Sequence, residues 1–499
     1  MAPESDIIFL KVAHDVDADE RATAEEVISG VSYIFDYADK VNKPVVVNLS
    51  FGSYYGPHDG TSLFTQGLNN LVEPGKLIVV AAGNIGTESM HTSASYAADE
   101  YYETLLFPVD SKRTLSEVFP GKYNYFITYG NMWYTPESVD SMFVCTYDYN
   151  SSDTTTTLLA KTGFKIGEFV EDVPMMHNGE LLGYVTAVLD NTVDSENQTG
   201  EALLLIHNKG SESIKVNNHL WSVVFKSKSE GKMDMWGSNF LPDTSGVRGL
   251  EINQLYGDTE MGIAQPAAGK NIISVGSYVT KKSWINEQGQ AVGVDLKIGT
   301  ISDCSTKGPT RDGRKAPTIS APGQCIVSTL SSDSQGGAAF KISEEYTVSW
   351  GTSMSSPAAA GIVALMLQVR PDLTYEEAVK VFAKTSVSDE FTGDVPNNQF
   401  GYGKINALAA IKELIATNVE DYTAGDMKVK IYPNPASEIL QIEGLEQEVS
   451  FTIFDATGKA LKTGKTFNNV NITELNSGSY FINIVEGMNA FAIPFVVSK

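Results

Sequence analysis

The segment of this sequence best suited to nucleophilic chemistry is Gly351-Thr352-Ser353-Met354-Ser355-Ser356-Pro357-Ala358. A glycine before small polar residues, opening a mostly apolar helix, presents Ser353 at a helix N-terminus. There the backbone N–H groups and the positive end of the dipole stabilise developing negative charge. Read alone, Thr352 or Ser353 is simply an N-cap. Two other segments argue for more. Val79-Val-Ala-Ala-Gly-Asn84 places an amide just past the end of an apolar strand, the edge of an α/β sheet where sites assemble. A carboxamide NH₂ there can point at an oxyanion, although Asn84 with Gly83 also makes an ordinary turn. Asn48-Leu-Ser-Phe-Gly52 closes another apolar run, and its backbone can pair with an extended peptide.

These residues need elements to hold them. Residues 7–13 read as a strand. Val27, Ile28, Val31, Ile34, Phe35 and Ala38 recur at helical spacing. Pro44–Ser50 and Leu77–Ala82 are continuously apolar strands with a helical stretch, Thr61–Leu71, between them. This alternation predicts an α/β fold with a parallel sheet covered by helices on both faces. From about 105 to 245 the texture changes to short Tyr-, Val-, Phe- and Thr-rich runs, among them Tyr123–Thr128, Met142–Tyr147, Leu203–His207 and Leu220–Phe225. These predict an all-β insertion, a sandwich. The α/β pattern returns at Asn271–Gly276, continues through the helix after Gly351, and gains a further helix whose Thr374 and Glu377 have capping-box spacing. Residues 416–427 read as a linker, and 428–499 as a small β-sandwich. The division is therefore 1–104 and 246–415 for the α/β domain, 105–245 for the insertion, and 428–499 for the last domain.

The chain has 499 residues, 42% apolar and 19% charged, enough to bury several cores. Its 61 acidic against 36 basic residues, a net charge of −25, argue against nucleic acid or anionic membrane as partner. No apolar run is long enough for a transmembrane segment. The three cysteines, Cys145, Cys304 and Cys325, are too few for a disulfide scaffold, lack metal-ligand spacing, and read as buried thiols.

Taken together, the motifs resemble those of subtilisin-like serine proteases. Gly351–Pro357 resembles the family's nucleophile motif, Asn48–Gly52 its substrate-binding strand, and Ala81–Asn84 its specificity-pocket wall and oxyanion asparagine. Ile272–Ser277, Ser305–Arg314 with Ile319–Gly323, and Phe400-Gly-Tyr-Gly-Lys-Ile-Asn406 resemble later segments, in the family's order. The likeness covers residues 1–100 and 265–415. It implies a serine endopeptidase acting on peptide or protein substrates, with Ser353 as nucleophile and Asn84 as oxyanion donor. Substrate contacts fall to Ser50, Phe51, Gly52, Ala82 and Gly83. Ala82 and Gly83 hint at room for a sizeable apolar substrate side chain. No cofactor is required. The family often uses structural calcium, but no metal site is legible here.

The sequence also departs from that pattern. The family's triad needs an aspartate on a core strand and a histidine in a His-Gly-Thr-His type motif. None of the six histidines, His14, His58, His91, His177, His207 and His219, sits in one. His58 reads as a loop or helix-start residue. Without its base, Ser353 is expected to be nearly inert, a loss on the order of a million-fold in kcat in this enzyme class. The resemblance thus implies an N-terminal truncation, or a relic acting as a secreted peptide- or protein-binding protein. In the last domain, Tyr432-Pro-Asn-Pro-Ala436, Phe454–Lys459 and Leu475–Tyr480 resemble the C-terminal sorting domain of type IX secretion cargo. That implies the secretion machinery as partner of residues 428–499, a secreted or cell-surface address, and a signal peptide that this sequence lacks. Asp15, Asp17, Asp19 and Glu26 have EF-hand spacing with Glu20 where glycine is needed, and read better as an acidic helix start.

Overall fold

The structure is a computed structural model. It describes residues 2–11, 23–106, 126–190, 199–208, 219–237, 239–250, 252–332, 337, 339–417, 422–424, 427–445, 447–455, 458–486 and 489–499. The chain divides into two units, Met1–Asn406 and Ala407–Lys499.

The first unit is built on a four-stranded sheet, β1 (Val45–Leu49), β2 (Lys76–Ala81), β3 (Ile273–Val279) and β4 (Ile319–Gln324), in that spatial order. All three pairings are parallel. Leu77 to Val80 are fully buried, as expected of a strand covered on both faces. Helix α1 (Ala24–Lys40) buries Val27, Val31, Ile34, Phe35 and Ala38. It starts at a capping box in which Thr23 caps Glu26 N–H and the Glu26 carboxylate accepts from Thr23 N–H. Glu26 is therefore committed to the helix end, while Asp15, Asp17, Asp19, Glu20 and His14 lie outside the described residues. Helix α2 (Leu63–Asn69) follows β1. Helix α3 (Thr352–Val369) packs across all four strands. It is long and apolar enough to cross a membrane by length and composition alone, but here it is the core helix of the sheet. Helix α4 (Tyr375–Thr385) has the Thr374–Glu377 capping box that its spacing predicts.

Ile7–Lys11 corrects the expectation of a buried strand. The segment carries no ladder, and Ile7 and Phe9 are each 89% exposed. The physical reason is that nothing pairs with it: β1 is an edge, with no strand on its outer side among the described residues. Apolar content marks a segment as fit for burial but does not supply the neighbour that buries it.

The insertion is a sandwich of a six-stranded and a five-stranded sheet. Its strands extend from His91–Tyr96 to Asn253–Leu255, wider than 105–245, because His91–Tyr96 pairs with Gly231–Gly237 and Tyr101–Leu106 with Leu220–Ser227. Trp221, Phe225, Tyr134, Met132 and Val185 lie in its core. Of the predicted run Tyr123–Thr128, residues 123–125 lie outside the described residues, and the described strand is Phe126–Tyr134. Cys145 and Cys325 are buried, whereas Cys304 is only partly so.

In the second unit, α5 (Ala407–Thr417) and a short strand, Tyr422–Ala424, fall partly within the 416–427 span expected to be a linker. That strand and seven later ones form two four-stranded sheets around Ile431, Leu440, Ile453, Ile482 and Phe495.

Candidate active site

Ser353 is the second residue of α3, and the turn before it is possible only with glycine. Gly351 has φ 123°, and a Cβ there would lie 3.1 Å from Asn84 Oδ1. Thr352 then anchors the asparagine. Asn84 Oδ1 accepts from Thr352 N–H at 2.9 Å and lies 3.0 Å from Thr352 Oγ1. A backbone N–H can only donate, so the carbonyl end of the amide must face Thr352. The donor end, Nδ2, is left without a partner among the described residues, and Asn84 is exposed. Buried Thr352 also ties down the wall beside it: its Oγ1 lies 3.1 Å from both the N and the O of Gly83.

The strand end Ser50–Gly52 lies on the other side. Ser353 Oγ donates to Ser50 O at 3.0 Å, and Ser50 Oγ donates to Ser353 O at 2.9 Å. Asn48 Nδ2 donates to Ser50 Oγ at 2.9 Å, and Ser356 Oγ lies 3.1 Å from it. Phe51 and Gly52 are exposed, and Gly52 approaches Gln265 so closely that a Cβ would lie 2.8 Å from that residue's carbonyl. Ala82 is held by backbone bonds to Val275 and Ala264. Ser353, Asn84, Ser50, Phe51, Gly52, Ala82 and Gly83 thus converge on one site at the carboxyl ends of β1 and β2.

No histidine joins them among the described residues. His58 is fully buried in the loop before α2. Its Nδ1 lies 2.7 Å from Ile263 O and its Nε2 3.0 Å from Tyr54 O, and the ring stacks on Trp236 at 4.3 Å. Burial, reinforced by the positive charges of His91 and Arg311, outweighs the two carbonyls and pushes His58 down to about 4. His91 sits between Asp258 (2.8 Å) and Asp234 (3.3 Å). Among the described residues no cluster of three or more His, Cys, Asp or Glu side chains is placed to hold a metal ion.

Two residues of this neighbourhood were not singled out from the sequence: Thr352 as anchor of the asparagine, and Tyr54. The Tyr54 hydroxyl accepts Asn84 N–H at 2.6 Å, and its ring lies against Gly83. Nothing in the spacing distinguishes Tyr54 from Tyr55.

The family profile described as Subtilase family matches residues 1–158 and 253–403. The chain belongs to the subtilase family. The profile described as Secretion system C-terminal sorting domain matches residues 430–498. Serine protease AprX of Bacillus subtilis (strain 168) is 34% identical over 29% of this chain and 30% of its own length. Bacillopeptidase F of the same organism is 31% identical over 22% of this chain and 7% of its own. The chain thus spans less than a third of each of these two relatives. Among solved structures, the Clostridium perfringens CspB protease covers 81% of this chain, and the chain covers 74% of it, at TM-score 0.57 and 20% identity. That likeness establishes the subtilase fold for the arrangement described above.

Proposed function

We propose that this subtilase is a secreted serine endopeptidase in which Ser353 attacks a peptide carbonyl and Asn84 Nδ2 donates to the resulting oxyanion. The observation that carries the reading is the bond from Thr352 N–H to Asn84 Oδ1 at 2.9 Å, one residue before Ser353. It turns the amide so that its donor end is free beside the nucleophile, the arrangement acyl transfer needs. The substrate is an extended peptide paired along Ser50–Gly52. The proton acceptor comes from outside the described residues, since Ser353 Oγ is bonded to a carbonyl rather than an imidazole. The open outer edge of β1 and the exposed Ile7 and Phe9 support a further strand docking there and bringing the base and its carboxylate. Residues 430–498 give the address: export through secretion machinery that reads such a domain, followed by release or surface attachment.

A fluorophosphonate probe tests the chemistry. Labelling that maps to Ser353 and vanishes in Ser353→Ala supports the reading. An unlabelled, folded chain that still binds peptide supports the second reading, a binding protein that keeps the groove without hydrolysis. The bond from Ser353 Oγ to a carbonyl favours that alternative.

A further inference from the structure

Between the two segments that face a substrate, Ser50–Gly52 and Ala82–Gly83, stands an aromatic ring. Tyr54 follows Gly52 by two positions, and its hydroxyl reaches across to Asn84 N at 2.6 Å. Gly83 has φ 121°, and a Cβ built there would lie 2.8 Å from Tyr54 Oη and 3.1 Å from Tyr54 Cε1. The ring and the Thr306 hydroxyl, also 2.8 Å from that Cβ, therefore close the face of Gly83 that a glycine in the wall would otherwise leave to a substrate side chain. It is also held. Ser53 pairs through its backbone with Gln265, and Tyr54 O lies 3.0 Å from His58 Nε2 and 3.4 Å from the Tyr129 hydroxyl of the sandwich.

We infer that Tyr54 is a specificity-determining residue: its ring fills the primary pocket over Gly83, so the site takes peptides with a small side chain, alanine rather than leucine or phenylalanine, on the acyl side of the scissile bond. This reverses the room that Ala82 and Gly83 suggest from sequence alone. It rests on reading Ser353 as the nucleophile. A pocket already occupied by a fixed ring excludes a larger side chain by overlap, a stronger discriminator than a missing methylene.

Peptide boronic acids are the suitable probe, because boron adds to a serine oxygen as a tetrahedral adduct and so reports the nucleophile and the pocket together. Three N-acetyl tripeptide boronic acids, differing only in an alanine, leucine or phenylalanine side chain at the terminal position, are titrated into the full chain by calorimetry. The alanine compound is expected to bind about 10-fold or more tighter than the phenylalanine compound. Tyr54→Ala should invert that order. Tyr54→Phe, which keeps the ring and loses the hydroxyl, should preserve it with weaker binding overall; a thermal melt of each variant verifies the fold. Binding whose order is the same in wild type and Tyr54→Ala, or a wild type that prefers phenylalanine, overturns the inference and leaves the peptidase reading standing. Failure of all three compounds to bind, with and without added imidazole as base, removes the nucleophile reading, and the inference falls with it.

Discussion

Ser353 Oγ donates its proton to the backbone carbonyl of Ser50 at 3.0 Å, and Ser50 Oγ returns a bond to the carbonyl of Ser353 at 2.9 Å. The proposed nucleophile and the proposed substrate strand thus close a ring of two hydrogen bonds. An amide carbonyl is too weak a base to take the serine proton, so this arrangement orients the hydroxyl without activating it. A small soluble base is then expected to raise its reactivity. The rate of Ser353 labelling by diisopropyl fluorophosphate is expected to rise with added imidazole, and Ser353→Ala to stay unlabelled throughout. A rate indifferent to imidazole would mean that the hydroxyl is activated already or is beyond reach.

Asn84 separates its two roles by atom. Its Oδ1 is a structural acceptor for Thr352, and its Nδ2 is the proposed oxyanion donor. Asn84→Asp keeps the first and reverses the second. It should retain the wild-type fold, since the carboxylate still accepts from Thr352 N–H. Its Ser353 labelling should fall by about 10²- to 10³-fold, the usual loss of one oxyanion donor. Circular dichroism and labelling kinetics on the same sample separate the two effects.

Thr352→Val has the opposite balance. The hydroxyl is buried and lies within hydrogen-bond distance of Gly83 N, Gly83 O and Asn84 Oδ1. Valine keeps the volume and leaves Gly83 N–H unpaired, at a cost of about 1–3 kcal/mol. Denaturant titration should read that loss directly. Labelling should fall less than in Asn84→Asp, because Thr352 N–H still holds the amide.

Much of this site was legible in the sequence because its chemistry is local. Gly351 before Ser353, Gly83 before Asn84, and the continuous apolar runs that become β1 and β2 each announce themselves within a few residues. Ile319–Gly323 was placed by its resemblance to a family segment and not as the strand β4, because Pro322 and Gly323 are poor strand formers; they sit at the register shift between the Tyr278–Pro322 and Val279–Gln324 pairs, on the edge strand of the sheet. The Ile7–Lys11 strand was read and is not there, since pairing depends on a neighbour that the segment's own residues cannot encode. Tyr54 and Thr352 escaped for the same reason: their roles arise from contacts with Asn84, distant in sequence, and no periodicity records a tertiary hydrogen bond.

The junction between the sandwich and the parallel-sheet core should give stability a maximum near neutral pH. Burial lowers His91, but the hydrogen bonds to Asp234 and Asp258 outweigh it and raise the group to about 9. Its contribution is complete below the free-imidazole value of about 6.5 and is lost as pH rises through about 9. Buried His58 is pushed down to about 4, so its contribution is present above about 6.5 and is lost as pH falls towards about 4. Urea midpoints followed by tryptophan fluorescence should therefore decline on both sides, Trp236 lying against both rings. His91→Gln should flatten the alkaline limb and leave the acid limb in place. An alkaline limb unchanged by that substitution would contradict the assignment.

One of the sandwich's contacts with the site loop is a buried amide, and removing it should act at a distance. Asn131 Oδ1 accepts from Gly56 N–H at 3.1 Å and from Trp133 Nε1–H at 2.8 Å, while its Nδ2 donates to Glu201, which also accepts from the Tyr55 hydroxyl. The loop that carries Tyr54 is thus fastened to the insertion immediately after that residue. Asn131→Ala leaves the Gly56 and Trp133 donors unpaired, each at about 1–3 kcal/mol. The destabilisation should be accompanied by a loosened loop. The preference for alanine over phenylalanine boronic acid should then shrink, in the direction of Tyr54→Ala though less far. Glu201→Gln, which keeps an acceptor for Tyr55 and Asn131, should leave the preference near wild type. An Asn131→Ala protein that is destabilised yet fully selective would show that Tyr54 is held without Asn131, through Gln265, His58 and the Tyr129 hydroxyl.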